Sequence, residues 1–149
     1  GQWKQVPEGQ PWTPPDAPGY KHIAHATTRV SATRLTVSTS VDSTQEIAVT
    51  LAGNEPTEII TGTGIGASTA DEVPLMLLRR KAKETAFVWA VALDGEPVTL
   101  ETLDVPAADG QPLSAAAATM VTVRSGTRCW RLLVNPDKQS VQVSLSQGS

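Results

Sequence analysis

The stretch Pro74-Leu-Met-Leu-Leu-Arg-Arg-Lys-Ala-Lys-Glu-Thr-Ala-Phe-Val-Trp-Ala-Val-Ala-Leu93 contains two apolar runs joined by a short, strongly basic link. Both runs have the length of a β-strand and are rich in Leu, Val, Phe and Trp, and a turn as short as Lys81-Ala-Lys-Glu84 predicts an antiparallel hairpin. In the second run Phe87, Trp89, Val91 and Leu93 fall on one face and Val88, Ala90 and Ala92 on the other. Neither face is polar, which predicts a central strand covered on both sides.

Reading outward, the 149 residues fit one domain. Twelve basic and 15 acidic residues leave a net charge of −3, which excludes a general nucleic-acid or anionic-membrane binder, because neutralising phosphates takes a basic surface. Cys129 is the single cysteine, so no intrachain disulfide and no Cys-rich zinc site can form. It stands beside Trp130 and reads as a small buried apolar group. No apolar run reaches the roughly 20 residues of a membrane helix. The first residues lack the charged region and apolar core of a signal peptide.

Residues 1–19 hold Pro7, Pro11, Pro14, Pro15 and Pro18, each without an amide donor, and predict an extended lead-in without regular pairing. Trp3 and Trp12 in this segment either anchor it to the sheet or offer flat apolar faces to sugar rings. From Tyr20 the pattern turns β: residues 20–26 and 29–38 are dense in Thr, Ser, Val and Ile. Residues 45–51 alternate, with Ile47, Val49 and Leu51 inward, and residues 57–61 follow after a turn at 53–56. Gly62-Thr-Gly-Ile-Gly-Ala-Ser-Thr-Ala-Asp71 reads as a flexible loop.

Past the turn at Asp94-Gly95, residues 97–103 form another strand, and 104–118 read as a loop, because Pro106, Gly110 and Pro112 interrupt it. Residues 119–124 and 128–134 make a second hairpin around Ser125-Gly126. The chain then turns at Asn135-Pro-Asp-Lys138 into residues 140–145, with Val141, Val143 and Leu145 expected to face the core. Roughly nine short strands without a convincing helix predict an all-β fold, an antiparallel β-sandwich of jelly-roll type. That domain spans 20–146, and 147–149 read as an appended tail.

Few residues suggest chemistry. Gly62-Thr-Gly-Ile-Gly66 lacks the spacing and the following helix of a dinucleotide fingerprint. Tyr20, His22 and His25 stand close in sequence, and a Tyr/His pair can do acid–base work at a sugar C5 proton if a cation such as Arg29 or Arg34 neutralises the uronate. His22 and His25 are three apart and point to opposite faces of a strand, so no metal site and no cofactor are expected. The densest positive charge is Arg79, Arg80, Lys81 and Lys83. On a continuing strand Arg79, Lys81 and Lys83 would form a comb facing the carboxylates or sulfates of an acidic polysaccharide, and the plainer reading is a solvated hairpin end.

The succession Pro18-Gly-Tyr-Lys-His22, Leu51-Ala-Gly-Asn-Glu-Pro-Thr-Glu-Ile-Ile-Thr-Gly-Thr-Gly-Ile-Gly66 and Val73-Pro-Leu-Met-Leu-Leu-Arg-Arg-Lys-Ala-Lys-Glu-Thr-Ala-Phe-Val88 resembles the C-terminal β-sheet region of heparinase II/III-like polysaccharide lyases, a group that includes alginate lyases. The likeness covers residues 18–143 and is carried by structural signatures rather than a catalytic motif. In that family an α/α toroid precedes the sheet, the β-elimination residues sit mostly in the toroid or the earlier sheet, and nothing in this chain matches a toroid. The resemblance therefore implies a non-catalytic accessory domain of a secreted or periplasmic polysaccharide-degrading enzyme. Such a domain would bind polysaccharide through Trp3, Trp12, Arg79, Lys81 and Lys83, or pack against a catalytic domain of the same parent. A small lyase using Tyr20 and His22, with His25 nearby, is the remaining alternative. Nucleic acid and membrane are not expected partners.

Overall fold

The structure is a computed structural model and describes residues 3–5, 8–40, 45–53, 55–114, 117–135 and 140–147. The described residues form 12 strands: β1 (Trp3–Gln5), β2 (Gln10–Pro11), β3 (Ala24–Ser31), β4 (Leu35–Ser40), β5 (Glu46–Leu51), β6 (Thr57–Ile65), β7 (Glu72–Arg79), β8 (Trp89–Ala92), β9 (Thr99–Leu103), β10 (Thr119–Ser125), β11 (Arg128–Asn135) and β12 (Ser140–Gln147). They make three four-stranded sheets, ordered β1-β4-β5-β8, β2-β3-β6-β7 and β12-β11-β10-β9. All of the strand pairs are antiparallel. The expected class, an all-β antiparallel sandwich, is the observed one, with 12 strands rather than nine.

The sheet β1-β4-β5-β8 is the middle layer. Leu35, Val37, Val49 and Leu51 share its first face, because Leu35 pairs with Leu51 and Val37 with Val49. They pack on Ile59 of β6, with Met76, Leu78 and the half-buried Trp3 against them. The opposite face is built of small side chains, and Ser38, Ala48 and Thr50 on it are buried. At its end Ala52 and Ala90 meet Leu100, Val121, Val123 and Leu132 of the third sheet, forming a second core. Small residues let sheets approach closely, and burying each Leu or Val side chain contributes about 1.5–3 kcal/mol.

Pro74–Leu93 is not a hairpin. β7 ends at Arg79 and pairs with β6, whereas β8 begins at Trp89 and pairs with β5 in another sheet. Residues 80–88 cross between the layers, and the Arg80 side chain, only 2% exposed, pins that crossing. Its Nε donates to Thr57 Oγ1 at 2.7 Å, and its Nη1 donates to Thr85 Oγ1 at 2.9 Å and to the Ala86 carbonyl at 2.8 Å. The guanidinium also stacks 4.7 Å from the centre of the Phe87 ring.

β8 is an edge strand, and Trp89 is 57% exposed. Consecutive buried residues, the mark of a strand covered on both sides, run through β4, β5 and β6 instead. The expected glycine loop begins later than expected: Gly62 and Gly64 lie in β6, opposite Leu75 and Val73 of β7, and only residues 66–71 form the connection. A Cβ on Gly62 would come within 2.8 Å of the Ala24 carbonyl oxygen, so glycine there permits β3 to lie close at its bulge. The lead-in does pair, through β1 on β4 and β2 on β3, at sheet edges where Pro11 costs no ladder bond.

In the third sheet β10 and β11 form the predicted hairpin, turning at Gly126 with φ +54°. Val141, Val143 and Leu145 of β12 share a face with Val134, Leu132 and Trp130. They were expected to face the core, and all three are exposed. β12 is the outermost strand, beyond the reach of the middle layer. The predicted turn at 135–138 and the tail lie largely outside the described residues.

Candidate functional site

The outer face of the second sheet gathers residues distant in sequence. Arg79 ends β7 directly opposite Glu58 of β6. Its Nε and Nη2 grip one carboxylate oxygen, Glu58 Oε2, at 2.9 and 2.7 Å. The other oxygen, Oε1, accepts from Thr28 Oγ1 of β3 at 3.2 Å. The Glu58 bond raises the Arg79 guanidinium pKa above its ordinary value, with a smaller contribution from the Tyr20 phenol. Arg79 is therefore a permanent cation, held in position by its own strand neighbour.

Two aromatic rings complete the cluster. Trp12 follows β2, and its backbone N–H donates to the Ala26 carbonyl at 2.9 Å, which fixes the segment against β3. Tyr20 sits in a turn bounded by a bond from its own N–H to Ala17 and one from Ile23 N–H to the Tyr20 carbonyl. Their ring centres are 6.2 Å apart at 54°, a tilted pair, and the Arg79 guanidinium lies 5.9 Å from the Trp12 ring. Both rings are half-buried.

Such a surface joins apolar ring faces to a cation, a carboxylate and a hydroxyl. Aromatic faces stack on the C–H face of a sugar ring, and a guanidinium beside a carboxylate brackets adjacent hydroxyls with paired hydrogen bonds.

Three of the sequence candidates meet here: Trp12, Arg79 and Tyr20. Trp3 is elsewhere, with its indole Nε1 donating to the Leu75 carbonyl at 3.0 Å while the ring packs on the core, so it anchors the lead-in. Lys81 and Lys83 are exposed in the crossing segment, outside any strand, and the expected comb with Arg79 is not formed because β7 stops at Arg79.

His22 borders a shallow groove with Gly19, Ile23, Gly64 and Val73. His25 is exposed on β3 at the bulge, with φ +51°, an uncommon value for a residue with a side chain. Arg29 lies opposite Ile59, on the face turned away from Glu58, and Arg34 is exposed beside β4. Among the described residues no three His, Cys, Asp or Glu side chains gather as a metal would require. Cys129 is half-buried, with its Sγ 3.7 Å from Arg124 Nη1.

Glu58 and Thr28 were missed by sequence reasoning. The one local signal was a lone carboxylate inside the apolar run Thr57-Glu-Ile-Ile-Thr61. A second feature is an apolar cleft of about 290 Å³ between Phe87, Val88 and Trp89 on one side and Leu100, Val121 and Leu132 on the other. Comparisons with protein-family models, curated proteins and solved structures find no match to this chain.

Proposed function

We propose that this chain is a non-catalytic accessory β-domain that binds polysaccharide on the outer face of its second sheet, serving a polysaccharide-degrading enzyme. The observation that carries the reading is the convergence of Trp12, Tyr20, Arg79 and Glu58, joined by Thr28. Rings tilted against each other beside a fixed ion pair suit a ring-shaped ligand rich in hydroxyls. The resemblance to the terminal region of heparinase II/III-like lyases supports the same ligand class.

Glu58 balances the charge of Arg79, so the ion pair by itself favours hydroxyl-rich sugars over strongly acidic ones. Affinity electrophoresis of the purified chain in gels containing alginate, heparin, pectin, xylan or cellulose tests the reading, with absorbance near 235 nm followed for unsaturated products. Retention by at least one polysaccharide, lost on Trp12→Ala, is the expected result. Without retention by any of them, the proposal fails. New absorbance would instead make Tyr20, beside Arg79, the general base or acid of a small lyase.

A second reading is favoured by a different observation. Trp89, Val91 and Leu93 are exposed along one edge, and Val141, Val143 and Leu145 along another. Exposed apolar rows of this kind suit a domain that packs against a catalytic domain of its parent. An otherwise stable chain that fails to bind any sugar, yet binds a polarity-sensitive dye strongly, is the outcome that reading predicts.

A further inference from the structure

We propose that β12 is a self-pairing edge, through which two copies of this chain join antiparallel across a two-fold axis centred on Val143. β12 pairs with β11 over an unbroken register from Arg128↔Gln147 to Asn135↔Ser140 and lies at the end of its sheet. Its outward N–H and C=O groups thus form an open template eight residues long.

The other sheet edges carry protection. β1 has three residues and Lys4, and β2 has two residues and Pro11. β7 holds Glu72, Pro74 and Arg79, β9 holds Glu101, and β8 is only four residues long. By contrast, β12 reads Ser-Val-Gln-Val-Ser-Leu-Ser-Gln, without a charge, proline, glycine or bulge.

Charge and pattern favour an identical strand over a different partner. An uncharged edge offers a charged partner nothing to read, and it brings no like charges together when it meets itself. Antiparallel pairing about Val143 places Val141 opposite Leu145 of the second copy and Val143 opposite its equivalent. Gln142 then meets Ser144, and Ser140 meets Ser146, so every apolar residue stays on one face. The exposed rows, at 57% for Val141, 62% for Val143 and 59% for Leu145, merge into one strip on an eight-stranded sheet. The two-fold makes the contact closed, so the assembly stops at a dimer.

Sedimentation equilibrium of the full chain from micromolar to millimolar concentration is the test. Wild type is expected to approach twice the 15.7 kDa chain mass. Val143→Lys sets two ammonium groups directly opposite each other and should weaken association at least roughly tenfold while leaving the circular dichroism unchanged and, at dilutions where wild type is itself monomeric, the thermal midpoint as well. Val143→Glu should do the same, and mixing the two variants should restore the dimer. Val30→Lys, exposed on the interior strand β3, should leave association intact. A wild type that stays monomeric overturns the proposal, as does a dimer that survives both charged variants, or a mixture of the two that remains monomeric.

Discussion

Arg79 and Arg80 are neighbours with the same chemistry, and the end of β7 divides their fates. Arg79 is the last strand residue and points outward to Glu58, whereas Arg80 begins the crossing and is enclosed by Thr57, Thr85 and the Ala86 carbonyl. Removing Arg80 leaves those acceptors without their donor inside the protein, so Arg80→Met should cost about 2–4 kcal/mol by urea denaturation. Arg79→Met should leave the urea midpoint nearly unchanged, because an exposed pair contributes little, and should reduce sugar retention. The basic run itself was legible in the sequence. Which arginine is buried was not, because that depends on partners more than 20 residues away in Thr57 and Glu58.

At the scale of elements, alternation located the strands but not their neighbours. The pattern in Glu46–Leu51 and the hairpin of β10 and β11 were readable because period-two hydrophobicity and a Ser-Gly turn are local features. The pairing of β7 with β6 and of β8 with β5 is decided by long-range packing, which no local run encodes. β8 is apolar on both faces for two separate reasons. Ala90 meets the third sheet, while Trp89 and Val91 share the face of Leu51 and Val49 yet lie at the edge.

Trp89→Ala should therefore cost about 1–2 kcal/mol, below the 3–5 kcal/mol of a fully buried tryptophan, while Leu51→Ala in the middle layer should cost about 2–5 kcal/mol. Equilibrium unfolding of the two variants side by side checks that order. Gly62→Ala should destabilise by about 1–3 kcal/mol, because its methyl group meets the Ala24 carbonyl and the neighbouring strand must shift.

For the molecule as a whole, three stacked sheets set two kinds of surface apart. The second sheet carries half-buried Trp12 and Tyr20 beside the Arg79–Glu58 pair, and the third presents exposed apolar residues on its outer strand. Sequence reading named Trp12, Tyr20 and Arg79 separately, for different roles, and the fold brings them within one cluster. It could not supply Glu58 and Thr28, which matter only because β3, β6 and β7 lie side by side. Together these residues form the surface proposed to bind polysaccharide. The most direct measurement is retention in affinity gels of wild type, Trp12→Ala and Arg79→Met, together with Lys81→Ala/Lys83→Ala, each shown to be folded by circular dichroism. Wild type should be retarded by at least one polysaccharide, and Trp12→Ala and Arg79→Met should migrate freely in the same gel. Equal retardation of wild type and both site variants, or free migration of wild type in every gel, would contradict it.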